Sequence, residues 1–222
     1  MGEHSTLTSS DGHEFATYTA KPSGTAKGGI VVVQEIFGVN AHIREVCDGL
    51  AADGYRATAP ALFDRLQRGV ELGYTPEGIG AGREIMMKMD WNKSMEDVKA
   101  TAASLKGEGK VALVGYCWGG SVAWLAACRD SLDCSVGYYG GRIVDFLDEQ
   151  PNCPTLLHFG DKDASIPVEN VEKIKAAHPE VTVHRYAEAE HGFHCDHRGS
   201  YHAESAKIAR ERTMAFFAEN LG

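Results

Sequence analysis

The chain has 222 residues, enough to bury a large core without staples, and its 43% hydrophobic and 24% charged residues are those of a folded globular chain rather than a disordered one. Lys plus Arg number 22 against 31 for Asp plus Glu, and the formal charge of −9 repels phosphate backbones and anionic membranes, which argues against nucleic acid as a partner. Apolar runs such as residues 30–33 are too short to span a bilayer and residues 1–10 hold no apolar signal core, so a cytoplasmic location is expected.

In chain order, residues 6–8 and 14–20, separated by Asp11-Gly12, predict a hairpin, and the continuous apolar run 29–35 predicts a buried strand. A helical pattern over 42–52 leads to a strand at 55–59. Residues 60–82 break the rhythm, being long, glycine-containing and mixed in charge, which suits either a mobile flap over a site or an ordinary surface excursion. Helices at 79–88 and 94–105, a strand at 110–115 and a helix at 119–129 follow. Strands at 135–139, 155–159 and 181–186 then enclose a helix at 167–177 that opens on Pro167, and residues 203–221 form a last helix. Strands alternating with helices imply an α/β fold with a mainly parallel central sheet covered by helices on both faces. No repeat or linker interrupts the pattern, so residues 1–222 are read as a single domain. Six cysteines, Cys47, Cys117, Cys128, Cys134, Cys153 and Cys195, lie at irregular spacings without a CxxC pair, which predicts free thiols. Met1-Gly2 with Thr6 fits a loose myristoylation pattern that Glu3 and His4 do not support.

The chemistry concentrates at Gly115-Tyr-Cys117-Trp118-Gly119, a Gly-x-Cys-x-Gly turn between a strand and a helix. In such a nucleophile elbow the glycines let strand and helix approach closely while the strained central residue projects above the sheet. The helix N-terminus adds partial positive charge and free N–H groups, which suit a thiolate and a developing oxyanion. A phosphate-binding loop would need Lys-Ser/Thr where Ser121-Val122 stands, and the dinucleotide glycine spacing is missing. A nucleophile here requires an acid and then a histidine later in the chain. Asp161 and Asp163 follow the strand 155–159, and His191 follows the strand 181–186, each past a C-terminal strand end where open parallel sheets place their sites. Chemistry alone leaves Asp161 and Asp163 as rivals. Glu35 ends the run 30–35 at the same sheet edge, where a carboxylate beside a Cys–His pair holds the thiol protonated or accepts its proton.

With these residues placed, the sequence resembles the dienelactone hydrolase family, the cysteine branch of the α/β-hydrolase fold, over nearly its whole length. The likeness rests on Val-Val-Gln-Glu-Ile-Phe-Gly at 32–38, Ile43-Arg44, Ala51-Ala-Asp-Gly-Tyr55, Ala59-Pro-Ala-Leu62, Gly-Tyr-Cys-Trp-Gly-Gly at 115–120, Gly-Tyr-Tyr-Gly at 137–140, Asp163 and His191-Gly-Phe193. The resemblance implies a Cys117–His191–Asp163 triad, Glu35 as the group that keeps the resting thiol neutral, and an oxyanion hole from the backbone N–H groups of Ile36 and Trp118. It implies hydrolysis of a small lactone or carboxylic ester and no cofactor. One departure stands out: the family holds a substrate carboxylate with arginines, one of them four residues after the catalytic histidine, where this chain has Cys195. The other family arginine falls in 60–82 and has no secure match. Phe37 and Tyr138, together with Arg142 and Arg198, are therefore the expected substrate-binding residues, the two arginines pairing with an anionic group on the substrate. The rival readings are a non-catalytic ligand-binding member of the fold and a metal site in the crowd His191, His194, Cys195, Asp196, His197 and His202, whose spacing matches no common zinc motif; no metal is expected, and the oligomeric state is open.

Overall fold

The computed structural model describes residues 2–222; Met1, part of the acylation pattern, lies outside them. Among the described residues eight strands form one sheet: β1 (Glu3–Thr8), β2 (Glu14–Ala20), β3 (Gly29–Val33), β4 (Arg56–Pro60), β5 (Val111–Tyr116), β6 (Cys134–Tyr138), β7 (Thr155–Gly160) and β8 (Thr182–Tyr186). Their order is β1-β2-β4-β3-β5-β6-β7-β8. The hairpin β1–β2 runs antiparallel and joins β4 antiparallel, whereas β3 to β8 are parallel. This is the α/β arrangement with a mainly parallel sheet expected from the alternation of strands and helices, and it agrees with the α/β-hydrolase fold that the resemblance implies.

The six α-helices among the described residues are α1 (Ala41–Ala52), α2 (Pro76–Met86), α3 (Trp91–Leu105), α4 (Trp118–Arg129), α5 (Val168–Ala177) and α6 (Ala203–Leu221). α1 and α6 share one face of the sheet, and α3 packs beside α4 on the other. Ile30, Val31, Val32 and Val33 are wholly buried, as a strand covered on both faces must be. None of the helices is long and apolar enough to cross a membrane.

Two helices begin earlier than periodicity predicts, because their caps rather than their apolar residues set the start. Thr75 caps α2 by accepting from Gly78 N–H, with Pro76 in the first turn, and Asp90 caps α3 by accepting from the N–H groups of Asn92 and Lys93. The excursion over 60–82 is fastened rather than free. Gly38 pairs with Glu71, Leu72 N–H donates to Phe37 O at 2.9 Å, and Arg44 Nη1 lies 2.6 Å from Glu71 Oε2. β3 stops at Val33, two residues short of the expected run, so Gln34, Glu35 and Ile36 leave the ladder at the C-terminal edge of the sheet.

Candidate active site

The turn between β5 and α4 holds Cys117 at φ 56° and ψ −116°, a conformation that costs a non-glycine residue roughly 1–3 kcal/mol. The surrounding glycines permit it. A Cβ on Gly119 would stand 2.5 Å from the carbonyl oxygens of Val33 and Gln34, and one on Gly115 would stand 1.9 Å from Gly119 O. The strained turn therefore locks α4 against both β5 and the end of β3.

His191 arrives from the loop after β8. Its Nε2 lies 3.0 Å from Cys117 Sγ and its Nδ1 lies 2.7 Å from Asp163 Oδ2. Asp163 is buried, and its other oxygen accepts from the N–H groups of Ser165 at 2.8 Å and Ile166 at 3.2 Å, which fixes the carboxylate that orients the ring. Asp161, the rival, instead pairs on the surface with Arg185 at 2.7 Å. Burial alone lowers the basicity of His191, but the neighbouring Cys117 and Asp163 outweigh it and bring the imidazole from its ordinary 6.5 up to about 10.

Ile36 and Trp118 border the same cavity, which measures about 270 Å³ and also takes in Phe37, Ile79, Met86 and Ile166. Among the described residues Ile36 N–H has no acceptor, and Trp118 N–H, the first of α4, has none within its helix. Phe37 is buried at the cavity wall with its ring edge-on to Tyr74.

Glu35 reaches this edge of the sheet but not the thiol. Its Oε1 accepts from Arg198 Nη1 at 2.9 Å, Oε2 is buried without a partner, and no hydrogen bond joins Glu35 to Cys117 among the described residues. The guanidinium of Arg198 lies against the rings of Phe37 and Tyr74, 5.7 and 5.6 Å from their centroids. It also covers Gly192, where φ is +79° and a Cβ would stand 2.5 Å from Arg198 Nη1. Arg142 lines the cavity too, with its guanidinium turned to Asp145.

One substrate-binding expectation needs correction. Tyr138 does not face this cavity: it is wholly buried, donates or accepts at Thr213 Oγ1 at 2.7 Å, and borders a separate cavity between α1 and α6. Neighbouring positions at a strand end face opposite sides, and Tyr139 is the residue packed against the His191 ring, 5.1 Å between centroids. Among the cations, Arg142 and Arg198 both border the cavity, and a third joins them. Arg83, on α2, borders the cavity and makes no ion pair among the described residues, yet no sequence pattern singled it out. Cys195, where the family carries an arginine, is buried and its thiol is pushed by burial up to about 12. All six cysteines are free.

The profile of the dienelactone hydrolase family matches residues 15–221. A carboxymethylenebutenolidase of Pseudomonas putida is 35% identical over 231 residues, covering 98% of this chain and 97% of that protein. A protein of Klebsiella pneumoniae whose solved structure is named "Putative Dienelactone Hydrolase" superposes with a TM-score of 0.86 at 33% identity, over 98% of this chain and 99% of that one. A solved phosphotriesterase described as dienelactone hydrolase-like, from metagenomic libraries, shares the fold with a TM-score of 0.76 at 20% identity, over 100% of this chain and 99% of its own. With a family profile spanning nearly the whole chain and a relative above 30% identity along its full length, the chain belongs to the dienelactone hydrolase family, and with it to the carboxylic ester and lactone hydrolases.

Proposed function

We propose that the chain cleaves a small carboxylic ester or lactone through a thioester on Cys117. The observation that carries this reading is the 3.0 Å approach of His191 Nε2 to Cys117 Sγ, with Asp163 on the opposite ring nitrogen. The thiolate attacks the substrate carbonyl, and the oxyanion that forms is met by the N–H groups of Ile36 and Trp118. His191 then gives its Nε2 proton to the leaving alkoxide as the C–O bond breaks; in a lactone the alcohol stays tethered to the acyl group. Water, losing a proton to the same nitrogen, attacks the thioester, and the carboxylic product leaves as Cys117 returns to the thiolate. Asp163 holds the ring with Nε2 towards the sulfur throughout.

Glu35 and Arg198 form a switch in this scheme. While Glu35 is held by Arg198, its charge stays away from the sulfur; released, it becomes an acceptor beside Cys117 and favours the neutral thiol. The substrate carries an anionic group. Arg198 is engaged by Glu35 and Arg142 by Asp145, which leaves Arg83 as the cation best placed to receive a carboxylate. Acyl trapping tests the reading: rapid quench of an aryl ester reaction followed by peptide mass spectrometry should find the acyl mass on the peptide containing Cys117. Cys117→Ala should lose turnover and the adduct while keeping its melting temperature. Wild-type turnover in that variant would refute the assignment.

A further inference from the structure

Four side chains that the hydrolytic scheme does not use meet on the opposite side of the His191 loop. α1 carries His42 and Glu45, three residues apart and so on one side of the helix, and the turn after His191 brings Asp196 and His197 against them. One ligand atom from each of the four lies within 4.8 Å of all the others. His197 Nε2 is 2.7 Å from Glu45 Oε2 and 3.9 Å from Asp196 Oδ1, and His42 Nδ1 is 3.5 Å from the same Asp196 oxygen. The last two separations are longer than good hydrogen bonds and leave the convergence of these groups poorly explained by their own pairing.

His42 adds an independent sign. It is only 4% exposed, and its Nε2 is buried with no partner among the described residues. Buried imidazoles are normally satisfied at both nitrogens. His42 also borders the cavity between α1 and α6, about 400 Å³ and partly polar in its lining. A neutral imidazole bound through one nitrogen and donating through the other is the usual state of a metal-bound histidine.

The donor set selects the ion. Two imidazole nitrogens and two carboxylate oxygens are the ligands of zinc-class ions, with bonds of ~2.0–2.2 Å whose tetrahedral edges are about 3.3–3.6 Å. The observed 2.7, 3.5 and 3.9 Å separations straddle that edge, and rotation of the exposed Glu45 and Asp196 side chains closes the remainder. Calcium and magnesium prefer six or more oxygens or retained waters and fit two imidazoles poorly. The charge of the two carboxylates is balanced by a divalent cation. We propose that His42, Glu45, Asp196 and His197 form a tetrahedral site for a zinc-class divalent ion, which cross-links α1 to the turn between His191 and Arg198.

The test must separate this site from the thiol–imidazole pair, which also attracts zinc. The full chain carrying Cys117→Ala is titrated with Co²⁺ and then with Zn²⁺. The expected result is saturable uptake of one equivalent of Co²⁺ with the visible bands of a tetrahedral ion and no thiolate charge-transfer band, displacement by Zn²⁺, and a higher melting temperature with Zn²⁺. Glu45→Gln and His197→Asn, placed in the same background, should each weaken binding by about tenfold or more while leaving the metal-free melting temperature unchanged. Both positions are solvent-accessible, so these variants avoid the folding risk of replacing buried His42. Absence of saturable binding, a thiolate band, or affinity in either variant equal to that of the Cys117→Ala parent would overturn the proposal.

Discussion

Replacing Arg198 with Met removes the one hydrogen-bond partner, among the described residues, of a carboxylate whose side chain is 1% exposed, while keeping an apolar stem against the rings of Phe37 and Tyr74. Breaking a buried pair from one side costs about 3–5 kcal/mol, because the remaining charge is left in a poor medium. Arg198 is itself partly open to the cavity and water can reach the vacated position, so about 3 kcal/mol is expected here. In a Glu35→Gln background no charge is stranded, and the same replacement should cost only about 1 kcal/mol, the worth of an ordinary hydrogen bond. Urea unfolding of the four proteins in this cycle gives the coupling directly, about 2 kcal/mol on these figures. A second readout follows from the scheme for Cys117. Arg198→Met frees Glu35 to turn towards the sulfur, so iodoacetamide should alkylate Cys117 more slowly, and adding Glu35→Gln should restore the rate. Equal costs for Arg198→Met in both backgrounds, with alkylation unchanged, would show that the two groups neither stabilise each other nor gate the thiol.

Asp163→Asn keeps an oxygen for Ser165 and Ile166 but turns an amide N–H towards His191, which puts the ring proton on Nε2, so kcat should fall on the order of 10⁴-fold with little change in melting temperature; a loss under tenfold would sink the orienting role. For Arg83→Ala, kcat/KM on an anionic ester should fall roughly ten- to hundred-fold, the loss of ~1.5–3 kcal/mol from a charged contact, with its neutral methyl analogue unaffected, and Arg142→Ala should discriminate less; equal losses on both esters would make this a neutral-ester pocket. His191 binds its proton more tightly in the folded chain than at its ordinary 6.5, so the stability it contributes is complete below about pH 6.5 and is lost as pH rises towards about 10. Urea unfolding across that window should therefore show a steeper decline for the wild type than for His191→Gln, and parallel curves would refute the shift.

The parts of this molecule that were legible in its sequence are those fixed by local physics. A strand running into Gly-x-Cys-x-Gly and then a helix leaves little choice of turn, and parallel topology puts the ends of β5, β7 and β8 at one edge, so Cys117, Asp163 and His191 converge without any long-range guess. What escaped was decided by parity and by tertiary packing. One position separates Tyr138, turned towards α6, from Tyr139, packed on His191, and an alternation argument needs the exact strand end to tell them apart. Asp161 and Asp163 share a turn, and only the arrival of Arg185 from β8 on one and His191 on the other distinguishes them. Arg83 was hidden twice: the start of α2 is set by Thr75 and Pro76 rather than by apolar period, and the side of α2 that meets the cavity depends on the path of 60–75. The same reasoning explains why the crowd of histidines after His191 looked unlike a metal motif. Only two of its members, Asp196 and His197, belong to the proposed site; they meet His42 and Glu45, whose spacing on α1 is ordinary for a helix, and no local window contains both halves. Sites assembled from one element and its neighbour are readable as motifs, whereas a site split between α1 and a loop some 150 residues later exists only once the sheet has brought them together.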